Sequence, residues 1–175
     1  MFVLRKVVLY IAMSLDGYIA DKNGSVDWLE GCDSGSSYSE FIKTVDTVIM
    51  GNTTYRQIIT ELSPNEWVYK GLASYVITHN ASRKDENVTF YSGSPCALVE
   101  DIKRNSGGNI WICGGADIAG QLMSGGLIDI FHISVIPVIL GGGVRLFAAS
   151  DREIRLKLLK EKVCSGITEV VYEKI

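Results

Sequence analysis

The sequence predicts one α/β domain built on a mostly parallel sheet, and three observations carry that expectation. The chain has 175 residues, enough for one sizeable core and short for two. Its middle alternates short apolar runs with segments of helical period, the pattern that covers a parallel sheet with helices. Its last third strings apolar runs together with no helix between them, which calls for antiparallel strands on the same sheet.

Each element has its own warrant. Val7 to Met13 is a continuous apolar run, fit for a strand buried on both faces. Ser14 to Gly31 is rich in Gly, Asp and Asn and reads as a long loop. From Ser37 to Val45 a helix is expected, because Tyr38, Phe41, Ile42 and Val45 share a face and Ser37 and Glu40 have capping-box spacing. Thr47 to Met50 is a short strand, after which Gly51-Asn52-Thr53-Thr54 opens a helix with Asn or Thr as the N-cap. Ser74 to Thr78 and Val88 to Tyr91 read as strands. Ser94-Pro95 starts a third helix, with proline at its preferred first position, and Gly107-Gly108 ends it. Asn109 to Cys113 is a strand and Ala116 to Met123 a helix. Leu127 to Val138 reads as a long strand, Gly141-Gly142-Gly143 breaks the pattern, and Leu156 to Val163 and Ile167 to Ile175 close the chain as strands.

Composition narrows the function. The chain is 47% hydrophobic and 21% charged, with a net charge of −3; a bulk nucleic-acid binder would show a basic stripe instead. Its apolar stretches reach only about ten residues, short of a bilayer span. Met1-Phe2-Val3-Leu4-Arg5-Lys6 leads into a strand without signal-peptide pattern. The four cysteines, Cys32, Cys96, Cys113 and Cys164, form no CxxC pair, so reduced thiols and a cytoplasmic location are expected. Neither of the two histidines is near a cysteine, so no structural metal is expected. His132, mid-strand between Phe131 and Ile133, reads as structural, and Tyr55 and Tyr75 as core or pocket wall.

In an open α/β sheet, ligands sit beyond the carboxyl ends of the strands. Three strand ends carry suitable groups: Gly51-Asn52-Thr53-Thr54, Thr78-His79-Asn80 and Gly114-Gly115-Ala116-Asp117. The first and third begin helices, where free N–H groups and the positive dipole end favour phosphate. Gly115 and Gly120 are followed by Gln121-Leu122 rather than Lys-Ser/Thr, which removes P-loop chemistry, and no GxGxxG follows the first strand. A nucleotide-binding sheet of another kind is needed.

Five blocks in order, "IAMSLDGYIA" (Ile11–Ala20), "GSVDWL" (Gly24–Leu29), "VIMGNTTY" (Val48–Tyr55), "IWICGGADI" (Ile110–Ile118) and "LIDIFHISVIPVILGGGVRLF" (Leu127–Phe147), resemble the dihydrofolate reductase-like superfamily. They are most similar to its branch around the C-terminal reductase domain of bacterial riboflavin biosynthesis protein RibD. The resemblance covers nearly the whole chain as one domain, residues 1–175. It implies a three-layer fold, a mostly parallel central sheet with antiparallel C-terminal strands, NADPH as cofactor, and dimers through the C-terminal strands. Ala12, Ile19 and Ala20 would flank the nicotinamide. Gly51, Asn52, Thr53 and Thr54 would hold the pyrophosphate, and Gly114 and Gly115, with Ala116 and Asp117 heading the next helix, would let cofactor and backbone approach. Thr78 and His79, followed by Arg83-Lys84, fall where relatives bind the adenosine 2′-phosphate; a solvated turn is the plainer account of Arg83-Lys84.

The catalytic candidates are Asp16, either a substrate-orienting or proton-relaying carboxylate or an Asp-Gly turn, and Asp27. Trp28 would pack on a planar substrate. Some positions depart from the family pattern. Asn52 stands where many dihydrofolate reductases have Arg or Lys. Ser37 falls near the place of their substrate-binding carboxylate, with Glu40 as a capping residue and Asp33 in a loop. Gln57 to Pro64 replaces an Arg-rich segment of the riboflavin-pathway enzyme, and Asp129-Ile130 an Asp-Glu pair. The implied activity is reduction of a small heterocycle of the riboflavin-pathway type, 5-amino-6-(5-phosphoribosylamino)uracil reductase-like. Dihydrofolate reduction and a non-catalytic nucleotide-binding protein are the alternatives.

Overall fold

The computed structural model describes residues 5–32, 37–149 and 152–175; Asp33 and the opening Met1–Leu4 lie outside them. An eight-stranded sheet runs in the order β5-β4-β3-β6-β1-β7-β10-β9. Its strands are β1 (Val7–Ser14), β3 (Val45–Gly51), β4 (Ala73–Ile77), β5 (Thr89–Tyr91), β6 (Asn109–Gly114), β7 (Ile130–Ile136), β9 (Leu156–Cys164) and β10 (Ile167–Lys174). The pairings from β5 through β7 are parallel, and β10 is antiparallel to both β7 and β9. A separate two-stranded ribbon joins β2 (Tyr18–Ala20) to β8 (Val144–Arg145). This is the three-layer fold the sequence predicts.

Alternation along β1 assigns the layers. Val7 and Leu9 face a core with Leu98, Val99 and Ile102 of α3 (Pro95–Lys103) and Ile118, Ala119 and Leu122 of α4 (Ala116–Ser124). Val8 and Tyr10 face the other core, with Phe41 of α1 (Ser37–Phe41), Tyr55 of α2 (Asn52–Gln57), and Trp67 and Trp111. Tyr10 stacks on Phe41 with ring centroids 4.3 Å apart and meets His132 edge-on at 4.4 Å. His132 is half-buried beside that ring, and burial pulls its pKa below the ordinary histidine value.

Several expectations are corrected. The helix expected over Ser37 to Val45 is α-helical only to Phe41 and tightens into a 3₁₀ turn over Ile42–Thr44. Val45 instead starts β3 and pairs with Asn109; a β-branched side chain fits the sheet better than the helix. Ser37 lies inside α1, so it does not cap it, and its Oγ accepts from Lys162 Nζ at 3.1 Å. Gly51, not Asn52 or Thr53, is the N-cap of α2, which continues through a π turn at Ile58–Leu62. α3 stops at Lys103, short of Gly107. The strand expected over Leu127 to Val138 is confined to Ile130–Ile136 and is not an edge, since β1 and β10 flank it. The expected loop from Ser14 to Gly31 contains β2 and a 3₁₀ turn, Asp27–Leu29. Among the described residues, no helix is long and apolar enough to cross a membrane, and the four cysteines are unpaired.

Candidate cofactor cleft

The site begins where two central strands part. β1 and β6 are paired only from Val7↔Ile110 to Leu9↔Ile112. Beyond that level β1 stays with β7 up to Ser14↔Ile136, while β6 stays with β3 up to Met50↔Gly114. The ladder therefore splits into a cleft with Ile11, Ala12 and Met13 on one lip and Cys113, Gly114 and Gly115 on the other. Parting leaves main-chain donors and acceptors along both lips for a polar, flat ligand.

Glycines keep the floor of this cleft clear. Gly114 has φ +145°, a conformation that favours glycine, and a Cβ there would lie 3.4 Å from Thr54 Oγ1 and 3.9 Å from Ile11 Cδ1. One built on Gly115 would lie 3.7 Å from the same Thr54 oxygen, and one on Gly51 3.7 Å from the Gly115 nitrogen. Gly51, Thr54, Gly114 and Gly115 thus converge, although 63 residues separate Gly51 from Gly114 in the chain. Ala116 and Asp117 form the first turn of α4, with Gly115 as its N-cap. Thr53 is exposed on the first turn of α2.

The outer end of the cleft is organised by a contact the sequence hides. Arg83 donates to Asn52 Oδ1 at 2.8 Å, and its guanidinium lies over the Phe90 ring at 4.9 Å and the Tyr55 ring at 5.5 Å. Tyr55 in turn donates to Asp85 at 2.5 Å. Burial and that carboxylate push the Tyr55 hydroxyl up to about 12, while the Tyr55 hydrogen bond holds Asp85 below the usual carboxylate range. Arg83 is thus exposed, yet stacked on two rings and held beside Asn52. Thr78 follows β4, with its N–H on Tyr91 O and its Oγ1 accepting from Asn80 N–H; His79 is exposed beside it.

A flap borders the other lip. Asp16 accepts from Ser14 Oγ at 2.6 Å, from Gly141 N at 2.8 Å and from Leu140 N at 3.1 Å. The Ser14 hydroxyl leads in holding its carboxyl below the ordinary value. Asp16 thereby ties the β1–β2 turn to the glycine loop before β8. Gly143 has φ +138°, and a Cβ there would sit 2.1 Å from Ala20 O, so only glycine lets β8 dock on β2. Ile19 lies in β2 and packs against the core. Asp27 is exposed at the head of the 3₁₀ turn, its N–H on Ser25 Oγ at 3.1 Å. Trp28 follows it, and its indole N–H is buried with no acceptor among the described residues, an uncommon state for a buried donor.

The face of the sheet under α1 holds the remaining groups. Cys113, partly buried and pushed up to about 11 by desolvation, contacts the Tyr69 hydroxyl at 3.4 Å. Burial also raises Tyr69 and Tyr38. A cavity of about 260 Å³ lies between α1 and the β9–β10 hairpin, lined by Ser37, Phe41, His132, Lys160, Lys162 and Glu169 among others. Ser37 is therefore at this cavity, where it holds Lys162. Tyr69 and Glu169 escaped the sequence reading, while Arg83, named there beside His79, and Cys113, read there as a free thiol, acquire their contacts from residues distant in the chain.

The model of the RibD C-terminal domain matches residues 5–172. This chain belongs to the RibD C-terminal domain family. YwjB, an uncharacterized protein of Bacillus subtilis (strain 168), is 43% identical over 173 residues, covering 96% of this chain and 97% of its own. A Shewanella sp. PV-4 protein provisionally assigned to riboflavin biosynthesis has a solved structure with TM-score 0.84 and 26% identity, covering 97% of this chain and 99% of its own. Dihydrofolate reductase of Enterococcus faecalis, solved with NADP(H) and RAB-propyl, superposes with TM-score 0.69 at 16% identity, over 99% of each chain. Within the RibD C-terminal domain family, then, this chain carries a dihydrofolate reductase-like fold.

Proposed function

We propose that this protein is an NADPH-dependent reductase of a small planar heterocycle of the riboflavin-pathway type. The parting of β1 from β6 above Leu9 and Ile112 carries that reading. It opens a slot whose floor is glycine and threonine and whose mouth holds a positioned arginine. In this assignment Ala12 and Ile19 wall the nicotinamide. Gly51, Asn52, Thr53, Thr54, Gly114, Gly115, Ala116 and Asp117 surround the pyrophosphate through main-chain N–H groups and one hydroxyl. Thr78, His79 and Arg83 receive the 2′-phosphate, with Arg83 supplying the charge that Asn52 lacks.

NADPH, when bound, supplies hydride; the protein supplies orientation and a closed pocket. Asp16, committed to Ser14, Leu140 and Gly141, is a positioning residue that fixes the flap. In this assignment Asp27, exposed on the flap turn, supplies the carboxylate that moves a proton, and Trp28 offers its indole N–H to the substrate. Ser37, in place of a carboxylate at the head of α1, favours the riboflavin-type substrate over dihydrofolate. We read the chain as one cytoplasmic domain that pairs as a homodimer.

The test follows NADPH oxidation at 340 nm with 5-amino-6-(5-phosphoribosylamino)uracil and, separately, with dihydrofolate. Turnover of the first alone supports the proposal. Turnover of dihydrofolate alone overturns the substrate assignment. NADPH binding with turnover of neither leaves a nucleotide-binding protein.

A further inference from the structure

Glu169 of β10 is a carboxylate in an unusual position. It is only 4% exposed, yet among the described residues it accepts one hydrogen bond, from Ser134 Oγ to Oε1 at 3.3 Å. A buried carboxylate is costly unless several donors satisfy it, and this one borders the cavity under α1. Lys162, which stands opposite Glu169 in the hairpin, directs its ammonium to Ser37.

The register places this group with respect to the cofactor cleft. Ala12 pairs with Ser134, Ser134 with Glu169, and Glu169 with Lys162. The four residues form one row across four adjacent strands. Directly paired residues point to the same face, here the face covered by α1. Strands are spaced about 4.8 Å apart, so Glu169 is displaced by roughly 10 Å from Ala12 across the sheet. The next row down, Tyr10, His132, Val171 and Lys160, continues the cavity, with Phe41 as an aromatic wall. An ionised carboxylate only accepts hydrogen bonds, so the ligand must bring N–H donors and a flat apolar ring.

We propose that Glu169, oriented by Ser134, is the substrate-recognition carboxylate of this protein, accepting from ring N–H groups of a pyrimidinone whose opposite side reaches the level of Ala12. The carboxylate comes from the C-terminal hairpin and is buried, whereas α1 brings Ser37 and the exposed Glu40 to the same cavity. This assignment rests on the reductase reading for its substrate class, but its test does not require turnover.

The probe is 5,6-diaminouracil, with its 1,3-dimethyl derivative, which lacks the ring N–H donors, as control. Binding is measured by calorimetry on wild type, Glu169→Gln and Ser134→Ala, with and without saturating NADPH. Glu169→Gln keeps the side-chain shape and replaces one acceptor by a donor. We expect wild type to bind the diaminouracil and to discriminate against the dimethyl compound. Glu169→Gln should lose roughly 10- to 100-fold in affinity and Ser134→Ala less, both with unchanged NADPH affinity and melting temperature. No diaminouracil binding by wild type, equal binding of the dimethyl compound, or an unaltered Glu169→Gln would each overturn the proposal. Failure of wild type to bind NADPH while the diaminouracil still binds through Glu169 would overturn the reductase reading and leave the recognition site standing.

Discussion

Asp16 and Arg83 show how single side chains divide the work of the cleft. Asp16 receives one hydroxyl and two main-chain N–H donors, so its ionised form is favoured in the folded state. A carboxyl with a depressed native pKa contributes stability that is complete above the unfolded value, here 3.8, and is lost as pH falls through the lower folded value. Asp16→Asn replaces an acceptor by a donor facing Leu140 or Gly141. Its melting temperature should fall below that of wild type at pH 7, and the gap should close on acidification below pH 3.8; thermal melts across pH check this. A gap independent of pH would mean that the carboxylate charge plays no part. Arg83 is held by Asn52 and by two aromatic faces. Removing a hydrogen bond to a charged partner costs about 1.5–3 kcal/mol, so Arg83→Ala should weaken NADPH binding about 10- to 100-fold and leave NADH nearly unchanged. Fluorescence titrations with the two cofactors measure the ratio.

At the scale of elements, the strands with long apolar runs, β1 and β6, were legible because burial on both faces leaves no other placement for them, and β3 was legible over its apolar second half. So were the glycines at the ends of β3 and β6, since a strand that turns at once into a helix leaves little room for a side chain. The flap was not legible. The pairing of β2 with β8 depends on Gly143 meeting Ala20 across more than a hundred residues of chain, and a two-residue strand such as β8 has no periodicity to read. The same holds within the site: Arg83 with Asn52 and Glu169 with Ser134 are pairs made by folding, and no local pattern marks them. α1 was overextended because helical spacing at Val45 competes with its place in β3, where sheet pairing prevails. The flap makes its own prediction. Gly143→Ala places a methyl carbon 2.1 Å from Ala20 O, an overpacking that should cost about 1–3 kcal/mol. Hydrogen exchange should show the amides of Tyr18 and Leu146 losing protection while those of β1, β3 and β6 keep theirs. Uniform loss of protection would show that the ribbon is part of the global folding unit.

Across the whole molecule, the sheet ends in two edge strands, β5 and β9. The second is the outer edge of the antiparallel end, and Leu158, Leu159 and Val163 on it are 46%, 49% and 70% exposed. Apolar edge strands invite pairing with another chain, which supports the proposed homodimer through the C-terminal strands, with β9 as its interface. Leu158→Lys with Val163→Lys should yield a folded monomer in sedimentation; a dimer that persists would place the interface elsewhere. The central claim is that the split between β1 and β6 holds a nicotinamide cofactor. Its most direct measurement is tryptophan-fluorescence titration with NADPH of wild type and of Gly115→Val. Gly115 has φ −85°, and an added Cβ would make only ordinary contact with Thr54, so the variant should fold with its cleft filled. The account predicts saturable micromolar binding to wild type and none to a natively folded Gly115→Val. Equal binding to both, or none to wild type, would contradict it.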